Sequence, residues 1–529
     1  MILDAEDLDS GSRLTADVCI LGAGAAGITL ARDLVGTGLQ VVVLESGAEA
    51  LEPDIQDLAR GDSVGETLGF SDNPATLDSI RLRQLGGTTN HWAGFCRPYD
   101  EVDFEVRPAL ERSGWPITRA DIDPWYQAAH PVLGLGPYRF DWEYWVDELG
   151  GGEPLIDTPL VQTGVYQIRD ARFGPMYRDE LDAATDVTVY LRANAVDLRL
   201  DDAGDRVVEV RAKTLGGVEF GVVEPQVVVV ALGGIENPRL LLASNSQRPA
   251  GLGNEADLVG RHFCEHFAVP AAIAVTGNDP AALSALFEAD QGAEEGTLRI
   301  KGDVALTSAA VRDRGLLSLG CQLVVGAYAQ ERPRAISGLG ISQVAAVAEA
   351  TGTDAPRSSL YFLATAEQEL NPDSRVRLGS ERDPLGMPRV ELDWQFTERD
   401  RSSILEGMAV IGDELARTGL GRLQLTPGTI TFERTDGIRP YVGGLAIDAD
   451  AADPEGFELG LGFHHMCTTR MAADPADGVV DADLRVHTVD NLYVTGSSSF
   501  GTAGASTPTY TLVALTLRLA DHLQREVLV

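Results

Sequence analysis

Three stretches of this chain hold residues whose type and spacing could do chemistry. The first is Gly22-x-Gly24-x-x-Gly27, placed directly after the apolar run Val18–Leu21 and ahead of an alanine-rich helical pattern that runs to about Val35. Gly22 allows a tight turn, Gly24 lets backbone approach a pyrophosphate, and Gly27 lets the helix pack close to the strand. The helix start offers unpaired N–H groups and a partial positive charge to phosphates. Glu45 closes the next apolar run, Val41–Leu44, where a carboxylate can accept from a ribose 2′-OH and would repel a 2′-phosphate. This register predicts a dinucleotide site of the FAD or NAD kind. The second stretch is Gly86-Gly-Thr-Thr-Asn-His91-Trp92-Ala-Gly94, a poor helix and a poor strand but a good close-approach loop beside a ligand. His91 reads there either as a hydrogen-bonded loop histidine or as a chemical one. The third is Phe463-His464-His465-Met-Cys-Thr-Thr-Arg470-Met471, with two side chains that titrate near neutral pH.

The elements that would position these groups follow from pattern. Gly36 and Gly38 end the first helix, and Val41–Leu44 reads as the next parallel strand. Residues 187–232 alternate with period two and predict strands returning to the nucleotide domain. Val227–Ala231 runs into Gly233-Gly-Ile-Glu-Asn-Pro-Arg239, a second place where backbone could press on a cofactor. Asp121–Leu133 reads as a helix, and Trp115, Trp125, Trp142 and Trp145 form an aromatic-rich stretch that reads as core or as part of a lid. Residues 265–450 are mixed, with strands expected near 268–276, 316–327, 358–370 and 375–379 and a helix near 398–418. After Asn491–Val494 and Gly496–Ser499 comes Thr502–Thr509, then a closing helix, Tyr510–Leu523.

A chain of 529 residues can bury two substantial cores. Its net charge of −38 excludes general nucleic-acid binding, which needs a basic face. The acids are spread along the chain, Lys213 and Lys301 are its only lysines, and a diffuse acidic surface is the plain reading over a field for a cationic substrate. Apolar stretches are broken well short of a membrane span, so no transmembrane helix is expected. The first residues carry acids and no basic n-region, so no secretory signal is expected. Five scattered cysteines, never CxxC, suit reduced thiols in a cytoplasm.

Taken together and in order, the N-terminal fingerprint, the GGTTNHW loop, GGIENPR, the VGRHF…H stretch and the C-terminal run resemble the glucose–methanol–choline (GMC) oxidoreductases, FAD enzymes that oxidise alcohols. The likeness covers nearly the whole length and is nearest to the sugar-oxidising members, whose loop also ends His-Trp. It implies that Gly22, Gly24, Ala25, Ala26, Gly27, Glu45 and Ser46 hold the ADP side of FAD, with Arg83, Ala195, Val196, Ala231, Gly233 and Asn237 beside it. It implies that Gly86, Gly87, Thr88, Asn90, His91, Trp92, Ala93 and Gly94 lie along the flavin, with His91 bonded covalently to it or touching it. Ser498, Thr507, Pro508 and Thr509 complete the cofactor set. His464 matches the family's catalytic histidine: oxidising an alcohol carbon requires loss of the hydroxyl proton, which a neutral imidazole can accept. His465 ranks second. The family pairs the first histidine with an Asn or His over the substrate oxygen where this chain has Thr507, which is therefore expected in the catalytic set as a positioning donor only: its hydroxyl can donate one hydrogen bond but cannot act as a base near neutral pH. His262-Phe-Cys-Glu265-His266 fits the H-x-x-E-H zinc pattern on paper, but its surroundings fit a flavoprotein, and no metal is expected.

The expected fold is α/β: a Rossmann-like FAD-binding domain built from discontinuous segments (1–100, 187–265, 455–529), and a mixed-sheet substrate domain with lid segments (101–186, 266–454). The expected function is FAD-dependent oxidation of an alcohol group on a sugar or glycoside, with hydride transfer to flavin N5. The partners are the small-molecule substrate and O₂ or a separate electron acceptor. Two alternatives stay open, a flavin-containing lyase of the same fold and a non-catalytic dinucleotide-binding protein. The former would leave the flavin oxidised.

Overall fold

The computed structural model describes the chain except at residues 67, 71–72, 146, 148–153, 277, 279, 288–295, 328–357, 426–429, 433–444, 448–459, 462 and 529. Much of the expected substrate segment, and its boundary at 454, lie outside the described residues.

Val18–Leu21, Val41–Leu44 and Val227–Val230 are four-residue runs buried at every position, the pattern of a parallel sheet covered on both faces. They form the centre of a six-stranded parallel sheet. Its order is Ile2–Asp4, Val187–Leu191, Val41–Leu44, Val18–Leu21, Val227–Val230 and Leu492–Val494. The C-terminal strand thus returns to the same sheet, at its edge beside Val227–Val230. Of the other strands expected at 187–232, Asn194–Leu200, Val207–Lys213 and Glu219–Val223 join Arg13–Thr15 in a separate four-stranded sheet.

A larger antiparallel sheet forms the second layer. It contains Gly421–Leu425, Phe267–Thr276, Ser358–Ala366, Leu319–Ala327, Arg299–Leu306, Val161–Ile168 and Phe95–Cys96 in that order. The helix Glu398–Arg417 starts at a Thr397–Asp400 capping box and packs Ile404, Met408 and Ile411 into the core of this layer.

The segment 101–186 does not sort wholly into the substrate layer as expected. Helix Arg119–Leu133 buries Ile122, Tyr126 and Leu133, and helix Phe173–Ala183 buries Phe173 and Leu181, in the core of the parallel sheet. Tyr126 and His130 meet Tyr510 of the C-terminal helix Pro508–His522. The lid reading fails for Trp115, whose ring packs among Tyr99, Phe104 and Phe500 and whose Nε1 donates to Thr502 Oγ1 at 2.9 Å. All five cysteines are buried and unpaired.

Candidate active site

A cavity of ≈ 1330 Å³ runs between the two layers. At one end the turn after Val18–Leu21 feeds helix Ala25–Asp33, capped by Gly24 with no side-chain hydrogen bond, so its first N–H groups stay open. A Cβ on Gly27 would lie 1.8 Å from Gly22 O, and one on Gly87 would lie 3.0 Å from Gly24 Cα. The two backbones therefore form a cradle that only glycine leaves open. Glu45 accepts from the backbone N–H of Ala23 and of Gly47, both at 2.7 Å. Burial raises its pKa, and these two bonds pull it back.

Beside it, Arg83 donates to Ser46 Oγ at 2.8 Å and to Glu236 at 2.7 Å, and Arg81 and Arg239 bond the same carboxylate. Burial pushes the Glu236 carboxyl up, but Arg83, Arg239 and Arg81 outweigh it and hold it well below the usual range. At the other end helix Pro508–His522 begins at the wall, again without a side-chain cap. Two open helix starts on one cavity suit negative charge, such as that of a pyrophosphate or of the electron-rich carbonyl edge of a flavin.

Of the sequence-predicted residues, Gly22, Gly24, Ala25, Ala26, Glu45, Ser46, Arg83, Gly87, Thr88, His91, Trp92, Ala93, Gly94, Ala195, Ala231, Gly233, His464, His465, Thr507, Pro508 and Thr509 line the cavity. Six others stand behind the wall, for identifiable reasons. Gly27 is the helix–strand contact, and Gly86, in a left-handed turn, packs against Gly174. Asn90 Nδ2 donates to Leu85 O at 2.9 Å. Val196 falls in the register shift between Ala195 and Asp197. Asn237 accepts from Leu232 N at 2.6 Å and donates to Ser498 Oγ at 2.8 Å, so that this pair ties the helix Gly233–Ala243 to the turn Ser497–Ser499.

The histidines are set by chain pairing. Cys264 and Met466 exchange backbone hydrogen bonds of 3.1 and 2.9 Å, which lays 264–266 beside 464–466. Glu265 Oε2 accepts from the backbone N–H of His464 at 2.6 Å, and its Oε1 lies 3.3 Å from His465 Nε2 without hydrogen-bond alignment. Burial raises Glu265 to about 8, against the backbone donors that lower it. His266 Nδ1 lies 3.0 Å from His464 Nδ1, and His266 Nε2 lies 2.9 Å from Ala503 O. Burial, then His266 and His465, hold the His464 pKa well below the ordinary imidazole value. His465 is lowered to about 3 by burial, Arg81 and His91.

Thr507 does not join this pair. Its hydroxyl donates to Phe95 O at 2.5 Å, and the ring bonded to His464 belongs to His266. The sequence offered His266 in a zinc-like pattern, where it cannot serve because both its ring nitrogens are engaged, and as the last residue of the VGRHF…H stretch, with no role attached. Among the described residues no group of His, Cys, Asp and Glu is arranged to hold a metal ion. The sequence also missed a further part of the wall, to which Tyr166, Asp303, Gln322, Leu363 and Thr365 contribute from four strands of the antiparallel sheet. No local motif marks them, since only sheet pairing brings them together.

Comparison with known proteins bears on this geometry. Residues 371–516 match the model of the family described as GMC oxidoreductase. The fructose dehydrogenase large subunit of Gluconobacter japonicus is 24% identical over 97% of this chain and 98% of its own length. Paromamine 6'-oxidase of Streptomyces fradiae is 27% identical over 95% and 90%. The crystal structure of pyridoxine 4-oxidase from Mesorbium loti superposes with a TM-score of 0.57 at 20% identity, covering 96% of this chain and 99% of that one. The chain is similar to the GMC oxidoreductases, with the family match covering residues 371–516. It is an FAD-dependent enzyme that oxidises alcohol groups, and the cradle, the two open helix starts and the acidic Glu45 fit that cofactor.

Proposed function

We propose that this protein is a GMC oxidoreductase that oxidises a hydroxyl-bearing carbon of a sugar or glycoside, with His464 as the base. The observation that carries the reading is His464 itself: a half-buried, neutral imidazole on the cavity wall, fixed by its backbone to Glu265 and by its ring to His266. Bound FAD supplies the hydride acceptor at N5. The protein's part is the proton: His464 takes it from the substrate hydroxyl, so that the carbon can give up its hydrogen with the electron pair.

A polyhydroxylated substrate is supported by the part of the wall that the antiparallel sheet supplies. Asp303, held by Arg97 at 3.2 Å, sits there with Gln322 and Thr365, offering acceptors and donors in a row. Relatives named for fructose, paromomycin-type and C-glycoside substrates point the same way. In this reading His91, on the wall and kept neutral by burial and Arg172, carries the flavin covalently.

Anaerobic mixing of the holoenzyme with a panel of alcohols, sugars and glycosides tests the function. Bleaching of the flavin band by sugars is the expected result. Product formed while the band stays oxidised would favour the lyase alternative. Admitting air afterwards separates O₂ from a separate carrier as electron acceptor. For His91, acid-precipitated protein should stay yellow, and His91→Ala should release the colour; a colourless wild-type precipitate overturns the covalent bond.

A further inference from the structure

A neutral imidazole has one bare nitrogen and one N–H, and a base must turn the bare one toward its substrate. In this chain the choice is made behind the ring. Ala503 O accepts from the Tyr99 hydroxyl at 2.5 Å and faces His266 Nε2 at 2.9 Å. A carbonyl only accepts, so His266 Nε2 carries the hydrogen. Burial keeps His266 neutral against the pull of Glu367, which leaves its Nδ1 as a lone pair. That lone pair lies 3.0 Å from His464 Nδ1, which is accordingly the N–H donor. The nitrogen left for the cavity is His464 Nε2.

We propose that His266 is a positioning residue that fixes His464 as its Nδ1–H tautomer and presents a bare Nε2 to the substrate hydroxyl. In this chain it orients the base from behind, whereas Thr507 is turned to Phe95. The inference rests on His464 as the base. The step balances simply: the substrate O–H breaks, Nε2–H forms, and His464 becomes an imidazolium. The Nδ1–H···Nδ1 bond to His266 then has a charged donor and strengthens as the charge develops. In the opposite tautomer His464 would point an N–H at the hydroxyl and could accept nothing. Two rings crossed at 79° with centroids 5.0 Å apart, on two extended segments joined by the Cys264–Met466 bridge, give this arrangement little freedom.

The test uses holoenzyme labelled with ¹⁵N in its histidine rings, with His464→Gln to assign the signal. Wild type should show His464 with a bare Nε2 and a protonated Nδ1. His266→Asn keeps an acceptor at the δ position and should keep both this signature and most of the rate. His266→Phe should show mixed tautomers and a flavin reduction rate at saturating substrate lowered about 10–100-fold, the usual effect of removing an orienting partner, with substrate affinity little changed. A wild-type His464 protonated at Nε2, or a His266→Phe enzyme with wild-type tautomer and rate, overturns the proposal. If His266→Phe does not fold, the wild-type and Asn spectra decide alone. If no alcohol or sugar reduces the wild-type flavin, the proposed function fails, and the spectra still decide the tautomer.

Discussion

At the scale of single residues, two side chains that the family likeness pairs over the substrate have separate duties. His464 is bonded to His266, while Thr507 spends its hydroxyl on Phe95 O. A positioned base contributes about 10²–10⁴-fold to rate, whereas one neutral hydrogen bond is worth about 0.5–1.5 kcal/mol. His464→Ala should therefore lower the rate of flavin reduction by about 10²–10⁴-fold with FAD retained. Thr507→Val should change that rate by less than about tenfold and show itself chiefly as lost stability, since it leaves the Phe95 carbonyl unpaired. Stopped-flow reduction and thermal unfolding of both variants check this. Equal damage to the rate would mean that the Thr507 hydroxyl leaves Phe95 for the substrate.

At the scale of elements, the first helix shows how a favourable local change becomes a structural fault. Gly→Ala inside a helix ordinarily stabilises by about 0.5–1 kcal/mol. Gly27 lies within helix Ala25–Asp33, but its added Cβ would stand 1.8 Å from Gly22 O, which is backbone and cannot swing aside. Gly27→Ala should push the helix off the strand Val18–Leu21 and widen the cradle at Gly24. Its expected outcome is low FAD content after purification and a melting temperature below wild type. A variant that binds FAD normally would show that the turn can shift as a body.

For the whole molecule, charge and burial set two opposing responses. There are 80 Asp and Glu against 42 Lys and Arg, so like charges repel over a Debye length of about 10 Å at 0.1 M salt. Added salt should raise the melting temperature, although it also weakens surface pairs such as Arg178–Glu49; a falling temperature would mean that these pairs dominate. The pH response comes from the interior. Burial lowers His262 and His465 to about 3, and it also lowers His464, His266, His91 and His130. Below about pH 6.5 the unfolded chain binds these protons first, so stability falls with pH, by on the order of 2 kcal/mol for a group such as His465 at pH 5. Burial works oppositely on the acids, raising Glu265 to about 8 and Asp103 and Asp400 to about 7. The folded chain holds these protons, so stability falls as pH rises above 6.5 toward 8, where the histidines no longer contribute. The melting temperature should peak near pH 6.5, and a monotonic profile from pH 5 to 8 would contradict the assignment of buried neutral histidines.

What the sequence determined by itself is what adjacent residues decide together. The glycine spacing, the apolar runs on either side of it and Glu45 act within one short βαβ unit, so pattern alone located the strands, the helix and the open helix start. The family likeness and the histidine at 464 were legible for a related reason, since an ordered series of local motifs survives where the residues between them change. Only the tertiary structure decided which ring stands behind His464, because His266 is brought there by a two-residue backbone pairing across a separation of 198 positions. The same holds for Asp303, Gln322 and Thr365, which meet through strand register rather than spacing. It holds again for helix Arg119–Leu133, whose apolar face fits either layer on pattern and is settled by its contact with Tyr510. Local chemistry fixes which groups are available, and the pairing of distant strands fixes which of them touch.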